Sequence, residues 1–169
     1  MLRNVAVPVL APVPAFELGV VCEAFGLDRA PPGLPAYDFA VCGEQITPVP
    51  TTSGFAVLPG HDLNRLADAD LIIVVGAAPP TPPPPPALVA QLDDAVARGA
   101  TVASACTGAF VLAAAGLLDG RRATSTGVCA AARQPLPAGD GRSRSALHRR
   151  RGRSSPAPGR QPLSTCACI

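Results

Sequence analysis

The run Asp-Leu-Ile-Ile-Val-Val, residues 70–75, constrains this chain more than any other feature. An acidic residue leads into five consecutive aliphatic side chains, and Gly76 stops them. A strand that is apolar at every position has no face to give to water, so both of its faces must be covered. The interior of a parallel sheet, with helices above and below, meets that demand.

The segments around this run repeat the same alternation. Asn4 to Leu10 (NVAVPVL) reads as a buried strand, and Phe16 to Leu27 has apolar residues at helical spacing. Tyr37 to Cys42 alternates as a strand, and Gly54 to Leu58 is a weaker strand. Ala87 to Arg98 is an amphipathic helix with Leu88, Leu92 and Val96 on one face and Gly99 as its stop. Thr101 to Ala105 is a strand and Gly108 to Ala115 a helix. The expected fold is a doubly wound, flavodoxin-like α/β sheet, incomplete at its C-terminal end. PPTPPPPP, residues 79–86, reads as a polyproline surface spacer in preference to an SH3-type ligand.

The pattern stops after about Thr124, and the charge changes with it. Residues 1–120 carry four Arg against eleven Asp and Glu, whereas residues 121–169 carry ten Arg and one Asp. The net charge of +2 on 169 residues is therefore a cancellation. Two units are expected: an α/β domain over 1–124 and an Arg, Pro and Gly-rich disordered tail over 125–169. The tail reads as a basic nucleic-acid arm, a linker, or translation out of frame. The last is favoured, because the pattern is lost where the composition breaks, and because Ser125, Thr126 and Gly127, if encoded TCC ACT GGC, give His-Trp when read from their third base. The chain has no Lys, so a basic surface would be all Arg, and no aromatic residues interleave with Arg149–Arg153 to stack on bases.

Six cysteines (22, 42, 106, 129, 166 and 168) are expected as reduced thiols in a cytoplasmic setting, since the opening residues lack the form of a secretory signal. No apolar stretch reaches the ~18 residues that span a bilayer. Neither metal nor cofactor is expected: Cys166-Ala-Cys168 lacks zinc-site spacing and partners.

In a doubly wound sheet the ligand site lies beyond the carboxyl ends of the strands. TVASACTGAFVLAAAGLLDG, residues 101–120, puts Cys106 at such an end, at a tight strand-to-helix turn followed by Thr107 and Gly108. Spacing alone leaves a reactive thiol and a core filler equally open, because cysteine is among the most buried residue types.

SACTGAFVLAAAGLLDGRRAT resembles the cysteine-bearing segment of the ThiJ/PfpI superfamily, of class I glutamine amidotransferase-like fold. The wording is similar in particular to the N-terminal domain of AraC-type transcriptional regulators. PAFELGVVCEAFGLDR, residues 14–29, resembles the first helix of the same group, and YDFAVCGE and TTSGFAVLPGHDL sit at matching distances. The resemblance covers roughly residues 3–124.

It implies that Cys106 is the elbow cysteine and Glu17 the acid approaching it from the first helix, the two forming the catalytic pair. It implies ligand contacts at Gly76, Thr107 and Gly108, where the backbone N–H groups around Gly76 and Thr107 serve as oxyanion donors. The group's next landmark, His-Trp, is replaced by Thr126 and Gly127, which removes the usual base for a thiol. His61, in PGHDLNRL, reads as a solvated helix start and not as a substitute.

Two functions follow from the resemblance. The chain is a ligand-sensing domain of an AraC-type regulator without its helix-turn-helix units, or a stand-alone cysteine hydratase or hydrolase resembling isonitrile hydratase. The first is favoured on the FELG and CTGAFVLAAAGLLDG wording. Its expected partners are a small molecule of unknown identity and a second copy of the chain, with no specific DNA and no membrane.

Overall fold

The computed structural model describes residues 2–27, 36–77 and 83–119. Expectations for residues 79–82 of the proline run, and for the 125–169 tail, fall outside these.

Strand β1 (Asn4–Pro8) leads into helix α1 (Ala15–Val21), which continues as one π-helical stretch, Cys22–Gly26. Strand β2 (Asp38–Gly43) is followed by a small antiparallel hairpin of β3 (Val49–Pro50) and β4 (Ala56–Val57). A two-residue strand β5 (His61–Asp62) then runs into a 3-10 turn, Leu63–Asp68. The apolar run forms β6 (Leu71–Val75), and α2 (Pro86–Arg98), β7 (Thr101–Ala105) and α3 (Gly108–Ala114) complete the order. The main sheet is β5-β2-β1-β6-β7, with every pairing parallel. It is a flavodoxin-like α/β sheet with β1 at its centre.

Period-two alternation sorts the sheet side chains into two cores. Val5, Val7 and Val9 with Ile73 and Val75 face Leu18 and Val21 of α1. Ala6, Ile72, Val74 and Val102 face Leu88, Leu92 and Ala95 of α2, with Leu63 and Leu66 of the 3-10 turn and Val111 and Leu112 of α3. This answers the demand set by the continuous aliphatic run: alternate residues of β6 pack against helices on opposite sides. Each such aliphatic side chain contributes about 1.5–3 kcal/mol on full burial.

Several ends are fixed by local chemistry. Pro86 opens α2 at its first turn, where a missing N–H costs nothing, so the last proline of the expected spacer belongs to the helix. Gly99 closes it with a φ of 88°. Asp62 caps the 3-10 turn by accepting from the Asn64 backbone N–H at 2.9 Å. His61 thus sits in a strand at the sheet edge, one residue ahead of that cap. At the opposite end of the sheet, the Asp70 carboxylate accepts the backbone N–H groups of Arg3 and Asn4 at 2.8 and 2.9 Å, tying the starts of β1 and β6 together.

Candidate functional site

The carboxyl ends of β1, β6 and β7 lie side by side, and three segments leave them: the turn into α1, the Gly76-Ala77 exit from β6, and the elbow Cys106-Thr107-Gly108. Cys106 has a φ of +46°, the one non-glycine residue with positive φ among those described. A β-carbon in the left-handed region is crowded by its own backbone, at a cost of roughly 1–2 kcal/mol. Such a residue persists where the surroundings over-determine it.

Those surroundings are small and tightly interlocked. A Cβ added at Gly108 would meet the Val74 carbonyl oxygen and come within 3.2 Å of the Ser104 Cβ. A Cβ added at Gly76 would collide with the Thr107 hydroxyl and lie 2.6 Å from the Thr107 carbonyl carbon. Glycine at both places lets the elbow press onto the end of β6. The Thr107 hydroxyl then donates to the Ala77 carbonyl at 3.2 Å, across 30 residues of sequence.

Cys106 is neither sealed in nor fully exposed. Glu17, in the first turn of α1, is half-buried too. Leu18, next to Glu17, and Ala105, next to Cys106, belong to one apolar cluster, so the helix and the elbow rest on a common base. β1 and β7 flank β6, which puts the two strand ends about 10 Å apart. The sequence-expected residues Gly76, Cys106, Thr107 and Gly108 therefore gather at one end of the sheet, and Glu17 lies in the first turn of the helix that packs on it. Gly76 and Gly108 are buried, and Thr107 is 7% exposed with its side chain engaged.

His61 is placed elsewhere. It lies in β5 at one edge of the sheet and the elbow follows β7 at the other, four inter-strand steps or about 19 Å away. Among the described residues, no three His, Cys, Asp or Glu side chains converge as metal ligands, and no helix is long and apolar enough to cross a membrane. Two other thiols are described. Burial, and secondarily the charge of Glu23, raises the Cys22 thiol, and burial pushes Cys42 up to about 11.

Two contributors to the site escaped sequence reasoning: the Ala77 carbonyl, and the buried Ser104 beneath Gly108. The signal for the second was present in the small residues Ala103-Ser104-Ala105, which permit close approach of the returning helix.

Residues 15–133 match the DJ-1/PfpI family. The chain belongs to that family. A Streptomyces lividans relative, described as an uncharacterized protein in the cpoL 5' region, is 42% identical over 90 residues, 53% of this chain and 64% of its own. Among solved structures, a ThiJ/PfpI family protein from Pseudomonas syringae superposes with a TM-score of 0.61 at 23% identity, over 74% of this chain and 50% of the other. Drosophila melanogaster DJ-1beta gives 0.61 at 18%, covering 74% and 66%. An AraC family transcriptional regulator from Pseudomonas putida gives 0.60 at 22%, covering 83% and 77%. At these identities the DJ-1/PfpI neighbours share the fold. The chain spans 64% of the Streptomyces lividans relative's length and half of the Pseudomonas syringae protein's. The family match continues to residue 133, beyond the composition break at 124.

Proposed function

We propose that this DJ-1/PfpI chain is the ligand-sensing domain of an AraC-type transcriptional regulator, binding a small molecule at the sheet end where Glu17, Gly76, Cys106, Thr107 and Gly108 meet. The observation that carries this reading is the separation, among the described residues, of the elbow thiol from the histidine, which lie at opposite edges of the sheet. Cys106 is held at positive φ in a half-buried position, while His61, the histidine among the described residues, sits about 19 Å across the sheet. A thiol needs a base or a lowered pKa to turn over substrate near neutral pH, whereas binding needs neither. Support also comes from the FELG and CTGAFVLAAAGLLDG wording, and from the fold shared with the Pseudomonas putida regulator. In this reading Gly76 and Thr107 offer backbone N–H to the ligand, and Glu17 and Cys106 its polar contacts.

The second reading is a cysteine hydratase, with Cys106 attacking substrate and Glu17 moving the proton; positive φ at a half-buried elbow cysteine favours it. Incubation with an alkyl isonitrile separates the two, because hydration adds one water to give the N-substituted formamide. The sensor reading expects no formamide above a Cys106→Ser control. Cys106-dependent formamide overturns it and establishes the hydratase.

The proposal also takes residues 125–169 as translated out of frame and outside the sensing domain. Resequencing codons 120–169 and beyond tests this: paired helix-turn-helix coding in another frame is expected, and an early stop codon overturns it.

A further inference from the structure

We propose that the Thr107 hydroxyl positions Cys106 without itself touching a ligand, a role separate from that of the Thr107 backbone N–H; this rests on reading Cys106 as the thiol that meets the ligand or substrate. Three contacts join the exit of β6 to the elbow: Val74 with Gly108, Gly76 with Thr107, and Ala77 with Thr107. The first two are close steric approaches, and in the second the Thr107 side chain takes part as well as its backbone. They limit where the elbow can go, but steric contact pushes and does not hold. The third is a directional hydrogen bond, and it extends past the Val75–Ala105 pair the register that the β6–β7 ladder sets.

The residue so held adjoins the strained one. Cys106 at φ +46° relaxes toward the ordinary negative-φ regions unless its neighbours prevent it, and that relaxation swings the Cβ–Sγ bond away from the sheet end. Thr107 is the next residue, nearly buried, with its hydroxyl committed to Ala77. Its contribution is to fix where the neighbouring sulfur points. It also holds the Gly76-Ala77 backbone, so the N–H groups and the thiol keep a constant separation.

The test is peptide-resolved iodoacetamide labelling of the full chain at fixed pH, in wild type and in Thr107→Val, Thr107→Ala and Thr107→Ser. Valine keeps the shape and removes the hydroxyl, alanine does so without crowding Gly76, and serine keeps the hydroxyl. Losing one net hydrogen bond corresponds to a Cys106 rate lowered about fivefold in the valine and alanine variants. Serine is expected to restore it to within about twofold, a smaller change than loss of that bond brings. Cys42, fully buried in β2, reports global loosening in the same digest and is expected to stay unlabelled in all four proteins.

Unchanged Cys106 labelling in both hydroxyl-free variants overturns the proposal, as does a serine variant that behaves like alanine. Cys42 labelling that rises whenever Cys106 changes overturns it too, by showing loss of fold and not of aim. A wild-type Cys106 that labels no faster than the half-buried Cys22 removes the underlying reading of the thiol, an outcome visible before any variant is compared.

Discussion

Gly76 and Thr107 are in such close contact that a Cβ on the glycine would lie 2.6 Å from the threonine carbonyl carbon and still closer to its hydroxyl. Both residues are buried, and the contacting atoms on the threonine are backbone and a committed hydroxyl, so neither side can yield cheaply. Gly76→Ala is therefore expected to destabilise the fold by about 1–3 kcal/mol, the range for an overpacked interior. Urea denaturation followed by circular dichroism measures it. A Gly76→Ala protein as stable as wild type would mean that the exit of β6 and the elbow are not in contact.

The strain at Cys106 makes a prediction of the opposite sign. Glycine adopts a φ of +46° at no steric cost, whereas alanine carries the same crowded β-carbon as cysteine. Cys106→Gly is expected to be more stable than Cys106→Ala by about 1 kcal/mol, although glycine gains more freedom in the unfolded chain. Paired urea titrations decide it. An alanine variant that matches or exceeds the glycine one shows that the elbow is unstrained.

These two effects mark where the sequence stopped being readable. The strands at 4, 38, 71 and 101 and the helix ending at Gly99 follow from periodicity and stop signals, because each is fixed by its own residues and the faces they bury. Strand order is a different matter. Nothing local in Asn4–Pro8 says that β2 and β6 flank it, and β5 is two residues long, so His61 looked like the start of a helix. The elbow was half legible. A cysteine between a strand and small residues announces a turn, but its positive φ and the Thr107–Ala77 bond depend on a partner 30 residues away.

Asp70 links strand order to pH. Its carboxylate accepts the N–H groups of Asn4 and Arg3, and these bonds hold its pKa below the usual aspartate value. A depressed folded-state pKa contributes stability that is complete above the unfolded value near 3.9 and is lost as pH falls through the folded value. Asp70→Ala is thus expected to be less stable than wild type at pH 7, with the gap closing below pH of about 4. Urea midpoints taken across this range test it. A gap that stays constant down to pH 2 would assign the loss to packing and not to the charged bonds.

Cys42 predicts the alkaline side. It is fully buried in β2, and burial pushes its thiol up to about 11, with Arg65 pulling the other way and Asp62 reinforcing the rise. In the unfolded chain a thiol ionises near 8.5, so as pH climbs past that value the unfolded state gains a thiolate that the folded state refuses. The stability this thiol contributes is whole below about pH 8.5 and drains away as pH rises toward the folded value. Cys42→Ala has no such group. Wild type is expected to lose stability relative to Cys42→Ala between pH 8.5 and 11, tracked by urea denaturation under reducing conditions. Iodoacetamide should label Cys42 only as fast as the protein unfolds, because the thiolate does not form in place. Parallel pH profiles for the two proteins, or rapid labelling of Cys42 at pH 8, would mean that β2 opens to solvent and that the core shared by β1, β2 and the 3-10 turn is looser than its packing implies.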